Sequence, residues 1–69
     1  MTNTYEFKNL TTNDQKDYLK ALKELGVEQA PESYVFYDEL SEKEVEIYEE
    51  SSEFGGKEVV AIGDTLLIF

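Results

Sequence analysis

The chain has 69 residues, with 16 acidic residues against 6 lysines and a formal net charge of −10 at pH 7. It contains no cysteine and no histidine, which excludes disulfides, thiolate metal sites and the usual general base of enzymes. Apolar residues make up 41% of the sequence and aromatic residues 13%, so we expect a folded acidic domain rather than a disordered tail.

The negative charge is concentrated in one segment. Residues 1–27 carry four acids and four lysines, which cancel, whereas residues 28–58 carry eleven acids against two lysines, a net charge of −9. No arginine is present, so the best phosphate ligand is missing. Such a one-sided field favours a basic partner and disfavours direct binding to nucleic acid or to an anionic membrane.

The first residues show no sign of export. Residues 1–9 lack a basic region followed by an apolar run, and no apolar stretch approaches the roughly 18 residues needed to span a bilayer. We therefore expect a soluble cytoplasmic protein that does not bind membranes, with a single domain over residues 1–69.

Residues 4–8, TYEFK, alternate aromatic and charged side chains. This pattern is typical of a half-buried strand, with Tyr5 and Phe7 facing inward. Thr12 follows, and Gln15 stands three residues later, which predicts a helix N-cap with a capping box.

The next helix is predicted by its apolar stripe. Tyr18, Leu22 and Leu25 stand at i, i+4 and i+7 and are joined by Leu19, so we expect these leucines in the core. Gly26 predicts a left-handed C-cap. Pro31 then prevents any helical continuation.

Residues 34–37, YVFY, are apolar at every position and predict a central strand that needs cover on both faces.

The segment 41–53, SEKEVEIYEESSE, begins with a helix start signal. Ser41 and Glu44 form a capping box, and Leu40 can pack on Val45 as a hydrophobic staple. A helix is the preferred interpretation. A strand over residues 43–50 remains an alternative, because Val45 and Ile47 alternate with polar residues.

As a helix, this segment gathers acids on one side. Five glutamates fall within an arc of roughly 100° around the helix axis: Glu42, Glu46, Glu49, Glu50 and Glu53. Like charges at i, i+4 destabilise a helix, as do acids near its C-terminal end. Stability alone therefore does not account for this arrangement, although a merely solubilising face is the simpler interpretation.

The C-terminal residues predict a β-hairpin. Gly63-Asp64 is a two-residue signal for a type II′ turn between residues 57–62 and 65–69, and Gly55-Gly56 predicts a turn or hinge before them. Both strands are apolar on both faces. Two helices cannot cover both sides of such a sheet, so the remaining apolar surface is either an interface or is covered by aromatic and lysine side chains.

No motif for catalysis or for ligand binding is found. No stretch matches a calcium loop, Gly55-Gly56-Lys57 lacks the rest of a phosphate loop, and no nucleophile–base pair is evident. We expect neither a metal nor a cofactor, and not an enzyme.

The expected fold is a small α+β domain in the order β-α-β-α-β-β, with a largely antiparallel sheet of three to four strands. In composition the chain is similar to small acidic phage proteins that imitate nucleic acid, such as antirestriction proteins and uracil-DNA glycosylase inhibitors, although no residue-level motif links it to either.

The similarity in composition implies an anti-defence inhibitor that occupies the site of a basic nucleic-acid-binding enzyme or nuclease. The residues expected to bind that partner are Asp38, Glu39, Glu42, Glu46, Tyr48, Glu49, Glu50 and Glu53. The alternative is a structural or adaptor protein that assembles, for example as a homodimer, through an exposed apolar sheet face, with the acids serving solubility.

Overall fold

The computed structural model describes residues 2–69, which form two helices and five strands. In chain order these are β1 (Tyr5–Glu6), α1 (Thr12–Glu24), β2 (Ser33–Phe36), α2 (Glu42–Ser51), β3 (Glu53–Phe54), β4 (Lys57–Ile62) and β5 (Thr65–Ile68). Single 3₁₀ turns follow β1 and β2, at Phe7–Asn9 and Tyr37–Glu39.

All the strands join one open antiparallel sheet in the order β1-β2-β5-β4-β3. The α+β class and the antiparallel sheet are confirmed, whereas the predicted strand count is too low by one or two. The additional strand is β3, which has only two residues and is therefore too short for an alternating pattern to reveal it.

Two glycine turns set the register of the C-terminal strands. Gly55 and Gly56 both have positive φ, 60° and 78°, as a type I′ turn requires, and they join β3 to β4 so that Phe54 lies opposite Lys57. Gly63 has φ 60°, and Ile62 pairs with Thr65 across the next turn. The predicted C-terminal hairpin is confirmed.

The central strand β5 is buried on both faces. Leu67 packs with Phe7 and Leu22 on the side that α1 covers. Leu66 and Ile68 instead join a second cluster with Val35, Phe54 and Val59, against which Tyr48 of α2 packs. Because neighbouring side chains of a strand point to opposite faces, the two helices lie on opposite sides of the sheet.

Apolar exposure remains at separate places outside this centre. Within residues 2–69, the large apolar side chains that remain exposed are Tyr5, Leu19, Leu25, Phe36 and Ile47. Tyr5 and Phe36 lie on neighbouring strands with ring centroids 5.9 Å apart, whereas the others lie on the flanks or ends of the helices.

The start of α1 differs by one residue from the prediction. Thr11, not Thr12, is the N-cap, and its hydroxyl oxygen accepts the amide of Asp14. Gln15 does not complete a capping box. Its side-chain amide donates to the carbonyls of Lys8 and Leu10, which ties the helix start to the preceding 3₁₀ turn.

The end of α1 follows the prediction only in part. Gly26 has φ 85° directly after the C-cap residue Leu25, so the glycine C-cap is confirmed. Leu22 is fully buried, but Leu19 is 38% and Leu25 is 61% exposed, and their assignment to the core is wrong. Leu25 lies beyond the last helical turn, where the helical stripe no longer determines its direction.

The predicted first strand is shortened by the 3₁₀ turn at Phe7–Asn9. Phe7 is 5% exposed and belongs to the core on the α1 side, whereas Tyr5 is 39% exposed. Only one of the two aromatic residues therefore faces inward. Strand β2 likewise ends at Phe36, and Tyr37 begins a 3₁₀ turn.

Candidate partner-binding surface

Helix α2 begins as its sequence predicts. The Ser41 hydroxyl oxygen accepts the amide of Glu44 at 3.2 Å, and a Glu44 carboxylate oxygen accepts the amide of Ser41 at 2.9 Å. The capping box and the helix interpretation are confirmed, and the strand alternative for residues 43–50 is wrong. The helix ends at Ser51, because Ser52 adopts the left-handed conformation with φ 55°.

The inner side of α2 packs on the sheet through Tyr48. Its half-buried ring lies against the core cluster that contains Val35 and Phe54, and it meets the Tyr37 ring edge-on at 6.1 Å. Much of Tyr48 is thus engaged in packing, which limits the part of this predicted contact residue that a partner could reach.

Four of the predicted glutamates lie on the opposite side of the helix. They share one exposed surface, which we call the acidic helix face: Glu42, Glu46, Glu49 and Glu50. Their positions follow from helical geometry, since the spacing i, i+4, i+7, i+8 places them on one side when the helix docks through the other.

Glu53 does not belong to this face. It lies in β3, after the left-handed turn at Ser52, and is paired with Glu58 of β4. The prediction that five glutamates share one helical face is therefore wrong for this residue. Glu53 and Glu58 therefore lie opposite each other at the edge of the sheet and form a second acidic site, separate from the helix. Their like charges repel each other.

Asp38 and Glu39 lie in the 3₁₀ turn that leads into α2, and both are exposed. The Tyr5 hydroxyl donates to the carboxylate of Glu39, at 3.0 and 3.2 Å from its two oxygens, and this bond raises the pKa of Tyr5. Glu39 thus connects the start of the acidic segment to strand β1.

Glu44, the acid of α2 that does not belong to the acidic helix face, has a structural role. Besides the capping box, its carboxylate accepts hydrogen bonds from the amide and the hydroxyl of Thr2. The bond from the Thr2 hydroxyl and the bond from the Ser41 amide stabilise the charged form, and they lower the pKa of Glu44 to about 2.

The charge of the acidic helix face is not neutralised locally. Within residues 2–69, the salt bridges join Lys8 to Glu6 at 3.1 Å and Lys57 to Glu32 at 3.5 Å, and none reaches α2. No basic residue lies in the last turn of the helix, where the macrodipole favours cations.

One carboxylate of the acidic helix face is held by Tyr37, which is not among the residues predicted to bind a partner. The Tyr37 hydroxyl donates to Glu49 at 2.9 Å, which raises the pKa of Tyr37. The bond crosses from the 3₁₀ turn to the C-terminal half of α2, and it fixes the direction of the Glu49 side chain.

Tyr5, Tyr34 and Phe36 form an aromatic patch that the sequence does not predict. Tyr5 lies opposite Tyr34 on β1 and β2, and the three ring centroids are 5.3 to 5.9 Å apart. The alternation of Tyr34 and Phe36 indicates that they share a face, but only strand pairing shows that Tyr5 joins them.

A surface groove of about 340 Å³ runs between α2 and the turn that follows β3, with Ile47 and Phe54 among its lining residues.

Over the described part of the chain, no group of three acidic, histidine or cysteine side chains is arranged to hold a metal ion. None of the helices in residues 2–69 has the length and apolar composition of a membrane span.

The chain matches no protein-family model, no curated protein and no solved structure.

Proposed function

We propose that this protein is a non-enzymatic inhibitor that binds a basic nucleic-acid-binding protein and occupies its nucleic-acid site. The acidic helix face supplies the main contact, with Asp38 and Glu39 beside its N-terminal end and Glu53 at the neighbouring sheet edge. The observation that carries the proposal is the exposure of four glutamates on one side of α2 without a salt bridge from any lysine in residues 2–69.

The free energy of folding does not account for this arrangement. Glu42 and Glu46, and Glu46 and Glu50, are like charges at i, i+4, and each such pair costs roughly 0.2–0.5 kcal/mol in a helix. Glu49 and Glu50 also lie near the negative end of the helix dipole. Selection for binding explains the acids at Glu46, Glu49 and Glu50, where a lysine would stabilise the helix.

The spacing supports imitation of a phosphate backbone. Side chains one helical turn apart are about 5–6 Å from each other, comparable with the intervals between charges along a nucleic acid. The carboxylate of Glu49 is held in place by Tyr37, which reduces the entropy lost when a partner arginine or lysine binds it.

The partner is a basic protein with a nucleic-acid groove, such as a nuclease or another enzyme of a host defence system, and the encounter takes place in the cytoplasm. The proposed source is a phage or another mobile element, in keeping with the composition. Direct binding to nucleic acid is disfavoured by the net charge of −10.

The test replaces the four glutamates of the acidic helix face by glutamine. A matched control carries the same change at Glu6, Glu24, Glu28 and Glu32, which are exposed elsewhere. Each protein is used as bait in host lysate, at low and at high salt, with and without competing DNA or RNA. We expect the native chain and the control to retain one nucleic-acid-binding protein that competing nucleic acid displaces, and the helix variant to lose it.

Acidic baits collect basic proteins indiscriminately, so the comparison between the two variants decides the result. Equal retention by both variants would contradict the proposal. A stable fold of the helix variant, checked by thermal unfolding, is part of the expected result, since removing like charges stabilises α2.

A second candidate function is a structural or adaptor role that depends on apolar assembly. Tyr5 and Phe36, each 39% exposed on one face of β1 and β2, favour it. It predicts a dimer that forms with rising concentration, resists high salt and survives the glutamine replacements. Sedimentation of the native chain in low and high salt distinguishes it from the inhibitor proposal.

A further inference from the structure

The aromatic patch is left open by the packing of α1. That helix lies over β4 and β5, where Leu22 meets Leu67 and Tyr18 is hydrogen-bonded to Thr65 at 3.1 Å. On the same face, Tyr34 is half-buried at the edge of this core, while Tyr5 and Phe36 are each 39% exposed. The outer part of the sheet therefore presents aromatic rings to solvent.

A carboxylate lies directly beside these rings. Glu39 accepts the hydroxyl hydrogen of Tyr5, and Glu39 itself is exposed. A carboxylate has about four acceptor sites, so Glu39 retains capacity for further donors. The patch thus combines partly exposed aromatic residues with a negative charge at the hydroxyl end of Tyr5.

This combination has the chemistry that recognises a guanidinium group. Arginine stacks on aromatic faces and donates parallel hydrogen bonds to a carboxylate, whereas the lysine ammonium is more strongly hydrated and lacks the planar group. A guanidinium lying on the Tyr5 ring is within reach of Glu39, because cation–π contacts place the cation within about 6 Å of the ring centroid.

Other occupants fit the charge less well. A second copy of this chain carries a net charge of −10 and no arginine, so it has no guanidinium to offer and repels the patch. An anionic lipid surface is repelled for the same reason.

We propose that the aromatic patch and Glu39 form an arginine-binding site for a basic segment of a partner protein. This inference rests on the proposed function for the basic character of the partner, and it adds an apolar, arginine-selective contact to the charge of α2. The patch lies on the α1 side of the sheet and α2 on the other side. Tyr5 and Glu39 connect the two, because the 3₁₀ turn that carries Glu39 leads directly into α2.

The experiment is an NMR titration of the full chain with a short capped peptide containing two arginines among glycines. The same peptide with lysine and with citrulline, which is neutral, provides the comparison. We expect the ring signals of Tyr5, Tyr34 and Phe36 to shift with the arginine peptide. Its affinity should be about threefold above that of the lysine peptide, because only the guanidinium adds planar stacking and paired hydrogen bonds to the cation–π contact. The citrulline peptide should cause no shift.

Three variants locate the effect. Phe36→Leu keeps apolar bulk but removes one ring of the patch, so it should weaken the arginine preference. Glu39→Gln removes the charge and should abolish it. Leu25→Ala, at an exposed leucine elsewhere, should leave it unchanged. A dispersed amide spectrum confirms that each variant is folded.

Two outcomes overturn the inference: equal shifts with arginine and lysine, or shifts confined to α2 or absent. Neither outcome depends on the lysate experiment. If the arginine preference is absent while the glutamine variant of the acidic helix face loses its partner, the arginine site is wrong and the inhibitor proposal stands. If the arginine preference is present while the glutamine variant keeps its partner, the inhibitor proposal is wrong.

Discussion

Thr2 and Glu44 are 42 residues apart in the sequence, yet both the amide and the hydroxyl of Thr2 donate to the Glu44 carboxylate. The same carboxylate closes the capping box with Ser41. One side chain therefore joins the start of the chain to the first turn of α2 and helps to hold the acidic segment against the rest of the fold.

This arrangement predicts a pH dependence. The pKa of Glu44 is lowered from 4.5 to about 2 in the folded protein, so its contribution to stability is present above pH 4.5 and is lost as the pH falls toward 2. We expect Glu44→Gln to be less stable than the native chain at neutral pH and the two to converge near pH 2. Chemical unfolding between pH 2 and 7 measures the difference between them.

The difference in the free energy of unfolding between Glu44→Gln and the native chain is more informative than the pH dependence of either protein alone, because the other acids also titrate in this range. A constant gap from pH 7 to pH 2 would contradict the role assigned to Glu44. As a direct check, Thr2→Val removes the hydroxyl donor with little change of shape and should raise the pKa of Glu44 toward 4.5 in a carboxyl NMR titration.

The N-cap of α1 gives a second prediction. Thr11→Ala should reduce the free energy of unfolding by about 1 kcal/mol, because Asp14 loses its acceptor. Thr12→Ala should have little effect, since Thr12 is already the first helical residue. Urea unfolding of the two variants checks this. The reverse order would place the cap at Thr12.

Charge placement on α2 gives a third prediction. Glu50→Lys should stabilise the protein relative to Glu42→Lys by roughly 0.5–1.5 kcal/mol, because a cation is favoured near the helix C-terminus and disfavoured near the N-terminus. The pair is matched: both variants change the net charge equally, and both residues stand four positions from Glu46. In Glu50→Lys the lysine also follows Glu46 by four positions, and this order stabilises a helix more than a lysine four positions before a glutamate does.

Thermal unfolding at low salt measures this difference. It should narrow in 1 M sodium chloride, where the Debye length is about 3 Å. Equal stability of the two variants at low salt would mean that the dipole does not act on this face.

Burial along α1 gives a fourth prediction. Leu22→Ala should cost about 2–5 kcal/mol, because Leu22 is fully buried between Phe7 and Leu67. Leu25→Ala should cost less than about 1 kcal/mol, since this side chain is 61% exposed. Comparable losses in urea unfolding would show that the C-terminal end of α1 is packed after all.

The elements that the sequence determined by itself depend on neighbours in the chain. The Ser41–Glu44 capping box, the glycine turns at Gly26 and Gly63 and the acidic side of α2 involve residues no more than a few positions apart. Their physical causes are hydrogen bonds within one helical turn, the tolerance of glycine for positive φ, and the 3.6-residue helical period.

Only the tertiary structure decided which side chains are covered and which distant ones meet. The 3₁₀ turn at Phe7–Asn9 buries Phe7 and leaves Tyr5 outside. The left-handed Ser52 moves Glu53 from the helix to a strand. The aromatic patch and the Thr2–Glu44 bond join residues about 30 and 40 positions apart. Such pairs depend on strand register and on helix placement, which are set by packing of the whole core rather than by any local pattern.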